Sequence, residues 1–242
     1  MIHGRRVVAI VQARVGSSRL PGKVLMPIAG RPMVEHVLHR ADAIDAVDEV
    51  VAALPDIAED DPLAEVVRAT GTRVVRGSPG DVLARYAAAA TASAAEIVVR
   101  ITADCPLLSP EVSGRVLAAF ADCDYASNTV VRTFPRGLDT EVFSRKALER
   151  AHAEARDPVE REHVTPFLYG HPDRFVLRQV IDALDRSALR WTVDTPADMA
   201  FVSAVYEELG ACFEMRDVLA LLTKRPELNA LNQGSVQKPL GP

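Results

Sequence analysis

Cysteine, aromatic residues, long apolar runs and excess positive charge are all scarce in this sequence. Its three cysteines, Cys105, Cys123 and Cys212, form no CxxC pair, which argues against a zinc site or a disulfide framework. The first apolar stretch, Val7 to Val11, is too short for a signal peptide or a membrane span. These absences predict a cytoplasmic protein with no membrane partner.

The charge balance is mildly acidic, with 28 Lys and Arg against 33 Asp and Glu, a net charge of −5. Nucleic-acid binding depends on a basic surface that releases counterions, so we expect no nucleic-acid partner. The 48% hydrophobic content excludes a disordered chain. A length of 242 residues predicts one domain over residues 1–225, with an insert at about 129–185 and a frayed tail at 226–242.

Short β-branched runs alternate with helical patterns in the first hundred residues. Strands are predicted at 7–11, 47–54, 73–76 and 97–101, and helices at 32–44, 61–71 and 81–95. This alternation predicts an α/β fold with a doubly wound, mostly parallel sheet that binds ligands at the carboxyl ends of its strands. Further short strands are expected at 125–127, 141–143, 175–181 and 190–193, and a helix at 196–209.

The loop after the first strand, residues 12–23 (QARVGSSRLPGK), concentrates basic side chains, serines and glycines. Exposed backbone amides together with Arg and Lys side chains bind di- and triphosphates. The loop is not a P-loop, because five residues separate Gly16 from Gly22 and Val24 follows Lys23. A solvated basic loop is the alternative interpretation.

Two aspartates follow predicted strands: Asp104 comes after residues 97–101, and Asp194 after residues 190–193. We expect both at the carboxyl edge of the sheet, facing the basic loop. Magnesium prefers one or two carboxylates together with phosphate oxygens and water, so the pair predicts a magnesium site. The alternatives are a turn role for Asp104 and a helix cap for Asp194, shared with Thr195.

Six sequence blocks follow one another in a characteristic order. They are residues 13–23 (ARVGSSRLPGK), 76–86 (RGSPGDVLARY), 100–107 (RITADCPL), 135–143 (PRGLDTEVF), 160–166 (EREHVTP) and 191–198 (WTVDTPAD). Together they resemble the acylneuraminate and ketodeoxyoctonate cytidylyltransferase family, and within it the branch of spore coat polysaccharide biosynthesis protein F. The resemblance runs from about Val7 to about Tyr206 and implies a nucleotidyltransferase fold of the GT-A-like type.

The resemblance implies transfer of CMP from CTP to a sugar-acid-type acceptor with release of pyrophosphate, in the assembly of a surface glycan or a secondary metabolite. It implies Mg²⁺ on Asp104 and Asp194, and catalytic roles for these two residues with Arg14 and Lys23. The nucleotide-binding residues it implies are Ala13, Arg14, Gly16, Ser17, Arg19, Lys23, Arg76, Asp81 and Asp104. The acceptor-binding residues it implies are Asn128, Arg136, Asp139, Glu141, Glu162 and His163. It also implies a homodimer, with residues 135–165 reaching across the interface.

Two other functions stay open on the sequence alone. A glycosyltransferase that consumes a nucleotide sugar would use the same type of fold and a D-x-D motif, for which Asp122 and Asp124 qualify. A nucleotide-binding module without turnover is the other alternative. The segment 53–56 (ALPD) differs from the Ala-Thr-Thr/Ser-Asp common in the family, so base selection does not follow from the resemblance. The acceptor segments resemble the spore-coat branch rather than the sugar-acid branches, so the acceptor identity does not follow either.

Overall fold

A seven-stranded sheet forms the centre of the computed structural model, which describes residues 4–237. The strands are β1 (Val7–Gln12), β2 (Pro27–Ile28), β3 (Arg31–Pro32), β4 (Glu49–Pro55), β5 (Arg73–Gly77), β6 (Ile97–Thr102), β7 (Tyr125–Ser127), β8 (Glu141–Ser144) and β9 (Leu177–Gln179). The helices are α1 (Met33–Asp42), α2 (Asp61–Ala69), α3 (Val82–Ala92), α4 (Pro110–Ala119), α5 (Arg145–Glu154), α6 (Pro158–His163), α7 (Pro166–Tyr169), α8 (Pro196–Leu209), α9 (Met215–Lys224) and α10 (Pro226–Ala230).

The strand order in the sheet is β5-β4-β1-β6-β8-β7-β9, with β2 and β3 forming a separate hairpin. Strands β5, β4, β1 and β6 are parallel; β8 is antiparallel to both β6 and β7, and β9 is parallel to β7. Gln12 at the end of β1 pairs with Ala53 and Thr102, so the carboxyl ends of β1, β4 and β6 form one edge. The predicted doubly wound, mostly parallel α/β sheet is confirmed.

Helices cover both faces of β1, whose residues from Val7 to Val11 are fully buried. Val7, Ala9 and Val11 pack on one face with α1, α2, α4 and α8. Val8 and Ile10 pack on the other with α3, α5 and α7. Burial on both faces explains the continuous β-branched run, because each side chain of such a strand enters a core. The sheet edge is therefore a rigid platform for the loops that follow each strand.

The prediction of a last strand at residues 190–193 was wrong. The segment makes one isolated parallel bridge, between Arg136 and Arg190. The physical reason is that β6 already has β1 on one side and β8 on the other, so no strand edge is free there. The segment instead crosses the carboxyl edge of the sheet, and the predicted helix at Pro196–Leu209 follows it as expected.

The prediction of a frayed tail was also wrong for residues 226–237. They contain α10 (Pro226–Ala230), and Asn232 is buried. The part of that prediction on residues 238–242 lies outside the described residues. The segment at about 129–185, expected as an insert, contributes β8 and β9 to the main sheet. Among residues 4–237, no helix has the length and apolar character needed to cross a membrane.

Candidate active site

The loop between β1 and the 3₁₀ turn at Lys23–Leu25 is folded by its own backbone and by one buried acid. Asp60 Oδ1 accepts a hydrogen bond from the amide of Val15 at 2.6 Å, and Asp60 is 1% exposed. The amide of Gly22 donates to Val15 O at 3.1 Å, and Gly22 has φ of 71°, a conformation that favours glycine. The loop therefore turns back on itself and directs Lys23 inward.

Lys23 brings the two aspartates together. Its Nζ donates to Asp194 Oδ1 at 2.9 Å and to Val193 O at 2.6 Å, and it lies 3.6 Å from Asp104 Oδ2. The Lys23 side chain is only 10% exposed, whereas that of Asp104 is 31% exposed. Two carboxylates separated along the chain by about ninety residues thus meet at one ammonium group.

The second carboxylate oxygen of Asp194 faces two guanidinium groups. Arg19 and Arg190 each approach Oδ2 to 2.8 Å. Burial alone would raise the pKa of Asp194, but Lys23, Arg190 and Arg19 together hold that pKa below its ordinary value. Three cations therefore converge on Asp194, but Lys23 also faces Asp104 and Arg190 also pairs with Asp198, so the charges of the cluster balance. Guanidinium and ammonium groups are the side chains that bind phosphate oxygens most strongly.

Backbone contacts fix where the aspartates lie. The carbonyl oxygen of Asp104 accepts hydrogen bonds from Val193 N at 2.8 Å and from Thr192 Oγ1 at 3.0 Å. Residues 190–192 in turn pass against Gly137, where a Cβ would lie 2.5 Å from the carbonyl carbon of Trp191. Gly137 also has φ of 109°, so only glycine allows this crossing without displacement.

His163 lies at the end of α6 and is followed by a strained turn. Val164 has φ of 72° and ψ of −54°, and Thr165 N donates to His163 O at 2.8 Å, the geometry of a γ-turn. Burial lowers the pKa of His163, and Arg100 and Arg14 lower it further. Arg14 lies 3.7 Å from Glu162, and both side chains are about half exposed. This arrangement holds a neutral imidazole beside an accessible cation.

Comparison with known proteins identifies the family of this chain. Residues 8–222 match the family model described as Cytidylyltransferase. The chain belongs to the cytidylyltransferase family. It is therefore a nucleotidyltransferase enzyme.

Relatives and solved structures agree with the family. The chain is 30% identical to the spore coat polysaccharide biosynthesis protein SpsF of Bacillus subtilis, covering 91% of this chain and 95% of that protein. It is 32% identical to the 3-deoxy-manno-octulosonate cytidylyltransferase of Anaeromyxobacter dehalogenans, over 66% of this chain and 72% of that one. The structure of a cytidylyltransferase from Leptospira borgpetersenii superposes with a TM-score of 0.89 and 29% identity, covering 97% and 100% of the two chains.

In this cytidylyltransferase, the other residues predicted on the nucleotide side lie around the loop and the ends of β4 and β5. Ala13 is buried, with its amide 3.5 Å from Ala53 O, and Gly16 is exposed. Ser17 Oγ accepts from Leu20 N at 3.4 Å. None of these contacts covers the exposed Gly16. Phosphate binding by the backbone amides of this loop remains a prediction.

Arg76 and Asp81 have structural partners. Arg76 bridges Asp61 and Asp56 and donates to Pro55 O at 2.9 Å, which ties β5 to the end of β4. Asp81 accepts from Ala84 N at 2.9 Å as the N-cap of α3, and it pairs with Arg161 of α6. Burial alone would raise the pKa of Asp81, but Arg161 and the amide of Ala84 bring it below its ordinary value. Their contacts assign both residues to shaping the loops.

The acceptor-side predictions divide into two groups. Arg136 and the Glu162–His163 pair lie near the loops at the sheet edge, whereas Asn128, Asp139 and Glu141 are engaged within the protein. Asn128 donates to Leu138 O at 2.7 Å and accepts from Thr140 N at 2.9 Å. Asp139 makes a bidentate pair with Arg132, at 2.6 and 2.8 Å. These contacts shape the turn that carries Arg136.

Glu141 is enclosed within the protein. It is 4% exposed, and its carboxylate is bound by Arg100, by Tyr125 Oη at 2.5 Å and by Thr165 Oγ1 at 2.6 Å. A carboxylate with three internal donors has little capacity left for an acceptor. These contacts place Glu141 in the core between β6 and β8, and acceptor binding by Glu141 stays a prediction.

In the D-x-D motif, Asp124 is engaged within the protein, whereas Asp122 is exposed. Asp124 Oδ2 accepts from Val176 N at 2.9 Å and so holds the segment that leads into β9. Across the described part of the chain, no group of three or more His, Cys, Asp or Glu side chains forms a metal cluster. The metal-dependent glycosyltransferase alternative gains no support from Asp122 and Asp124.

Several residues of the site were missed from the sequence. These are Asp60, Arg190, Asp198 and Asn232. A signal existed for Asp198, because Thr195-Pro196-Ala197-Asp198 has the spacing of a capping box at the start of α8, and both of its hydrogen bonds are present. No local pattern marks Asp60 or Asn232, whose partners lie far away along the chain. Arg190 was missed although Asp194 and Asp198 lie only four and eight residues after it.

Proposed function

We propose that this cytidylyltransferase transfers CMP from CTP to a sugar-acid-type acceptor and releases pyrophosphate. The observation that carries the proposal is the contact of one ammonium nitrogen, Lys23 Nζ, with both Asp194 and Asp104. Lys23, Arg19 and Arg190 all contact Asp194, and the half-exposed Arg14 belongs to the same loop as Lys23 and Arg19. A bound triphosphate would accept hydrogen bonds from the cations of this loop.

A magnesium ion held by Asp104 and Asp194 is part of the proposal. The residues present fit such an ion, because carboxylate oxygens of both aspartates lie within 3.6 Å of the same nitrogen. Two carboxylates with phosphate oxygens and water are a donor set that magnesium prefers. When bound, Mg²⁺ neutralises the triphosphate and acidifies the acceptor hydroxyl.

The chain's own residues then align the reactants. The acceptor oxygen attacks the α-phosphorus of CTP, the bond from that phosphorus to the β-phosphate oxygen breaks, and pyrophosphate leaves. Lys23 exchanges its carboxylate partners for phosphate oxygens, and it shares the charge that develops on pyrophosphate with Arg19 and Arg14. Catalysis of this type rests mainly on alignment and charge neutralisation.

A carboxylated sugar fits the acceptor side of the site. Arg14 and Arg136 are cations with accessible or half-buried side chains near the sheet edge, and His163 is held neutral by burial. The names of the SpsF and octulosonate relatives are consistent with a role in surface polysaccharide assembly. We propose that this enzyme activates an acidic sugar for such a product.

A homodimer and a cytoplasmic location complete the proposal. Apolar side chains are exposed at Val130, Val131, Ile181 and Leu184, in the segment that carries the acceptor-side turn. Exposed apolar side chains clustered in one region are typical of protein–protein interfaces. CTP is a cytoplasmic nucleotide, which supports the location. Light scattering of the purified protein tests the dimer, and a monomeric mass would contradict it.

The test of the activity uses each of the four nucleoside triphosphates with Mg²⁺ and a panel of sugar acids, and measures pyrophosphate. We expect release only with CTP and an acidic sugar. Asp104→Asn is the matched negative control, since it removes one ligand charge without changing shape. Release of UDP from a UDP-sugar would support a glycosyltransferase instead, and nucleotide binding without either product would support a module without turnover.

A further inference from the structure

The orientation of Asp194 is set by a network of charged groups. Lys23 contacts its Oδ1, whereas Arg190 and Arg19 each approach its Oδ2 to 2.8 Å. The backbone amide of Asp194 donates to Asp198 Oδ2 at 3.0 Å. The carboxylate is therefore held at both oxygens and at its main chain, and all of these partners except Arg19 are buried.

Every nitrogen of the Arg190 guanidinium group has an assigned partner. Nε and Nη2 form a bidentate pair with Asp198 at 2.9 and 3.1 Å, and Nη1 donates to Gln237 Oε1 at 2.7 Å. Asp198 is fully buried. Asn232 Nδ2 donates to Arg190 O at 2.8 Å and to Asp198 Oδ1 at 3.1 Å. The segment after α10 therefore holds the Arg190–Asp198 ion pair in place.

We infer that Arg190, fixed by Asp198 and Asn232, is a positioning residue that holds Oδ2 of Asp194 and so sets the orientation of this carboxylate toward the proposed metal. The inference rests on the proposed magnesium site at Asp104 and Asp194. It makes residues 231–237 part of the active-site structure. Residues that orient a metal ligand in this way typically affect metal affinity by about 10- to 100-fold.

The test measures CTP binding by calorimetry with and without Mn²⁺, in the absence of an acceptor, so that no turnover occurs. In Arg190→Lys the charge is kept, but one ammonium group cannot span Asp194 and Asp198 as the planar guanidinium does. We expect the gain in CTP affinity from Mn²⁺ to fall about tenfold. CTP affinity without metal should be unchanged. Asn232→Ala, which keeps the ion pair, should lose a smaller part of the same gain.

Arg40→Lys is the matched control. Arg40 is buried like Arg190, at 6% and 8% exposed, but it donates to the carbonyl oxygens of Ala211 and Phe213, outside the metal site. This variant should lower the melting temperature without changing the Mn²⁺ gain. The control therefore separates a loss of fold stability from a loss of positioning.

The possible results distinguish the proposed metal site from the positioning role of Arg190. A wild-type enzyme whose CTP affinity does not rise with Mn²⁺ would overturn the proposed metal site and the positioning role with it. A normal gain in the wild type that persists in both Arg190→Lys and Asn232→Ala would overturn the positioning role alone. A reduced gain in both variants, with Arg40→Lys unaffected, supports it.

Discussion

Two carboxylates in this protein are surrounded by positive charge, and their surroundings differ. Asp194 lies beside the carboxyl edge of the parallel strands and contacts Lys23, Arg19 and Arg190. The same lysine faces the partly exposed Asp104, and Arg190 also pairs with Asp198. This cluster holds three cations and three carboxylates, and it opens to solvent at Asp104, whose side chain is 31% exposed.

Glu141 lies between β6 and the antiparallel β8, and its partners leave it no unmet charge. Arg100 pairs with it, and the hydroxyls of Tyr125 and Thr165 bind the same carboxylate. Burial alone would lower the pKa of Arg100, but Glu141 raises it above its ordinary value. An enclosed ion pair stabilises a fold, whereas a charge cluster at an opening is accessible to a ligand. Enclosure, rather than the number of charges, distinguishes the two sites.

The largest effect is expected from breaking the enclosed pair. Glu141→Gln leaves the buried Arg100 without its counter-ion, which typically costs about 3–5 kcal/mol of unfolding free energy. Denaturant unfolding measures this loss. The KM for CTP, measured on the remaining folded enzyme, should be unchanged. A stable variant with a raised acceptor KM would place Glu141 in the acceptor pocket.

The next largest effect is expected from the open cluster. Asp104→Asn and Asp194→Asn should each lower kcat about 10²- to 10³-fold, because each removes charge stabilisation of the reacting phosphates. Far-UV circular dichroism should remain native. Pyrophosphate release is the measurement, and a near-normal rate in either variant would remove that aspartate from the metal site.

Lys23→Ala sharpens the distinction between phosphate binding and structure. It should weaken CTP binding about tenfold, since one charged hydrogen bond to phosphate is lost. CMP binding should change less, because CMP lacks the outer phosphates. Calorimetric titration with both nucleotides checks this. Equal losses for CTP and CMP would contradict the placement of Lys23 on the outer phosphates.

The smallest effect concerns pH. The folded pKa of His163 lies below its unfolded value, so between the two values the unfolded chain binds a proton that the folded chain does not. Folding stability therefore falls as pH drops below about 6.5. His163→Gln should reduce this slope, measured as melting temperature between pH 7.5 and 5, leaving the contribution of His36, whose pKa burial also lowers. An unchanged slope would contradict the contribution of His163 to the pH dependence of stability.

Sequence patterns predicted the parallel half of the fold well. The runs at Val7–Val11 and Ile97–Ile101 are strands within one residue of prediction, because a strand buried on both faces must be apolar throughout. The segment 190–193 (RWTV) was also predicted as a strand, but it has no free strand edge to join. Whether a strand edge is free to pair depends on the strand order of the whole sheet, which no local pattern encodes.

The site was predictable where chemistry concentrates along the chain. Lys23 lies in a glycine-rich basic loop, and Asp104 follows a buried strand, so their meeting follows from parallel-sheet geometry. Asp60 and Asn232 were not predictable, because each binds a backbone group far away in sequence. The internal contacts of Glu141 were not predictable for the same reason, since its partners come from three separate segments.

The contact of Gly137 with the backbone at Trp191 has an evolutionary consequence. The turn that carries Arg136 and the segment that ends in Asp194 touch without space for a single methyl group. A lineage that acquires a new acceptor must therefore vary the side chains on this turn while keeping its path. Substrate diversification in this enzyme is therefore confined to the side chains of this turn. A loop of different length at 135–139 would also displace Asp194.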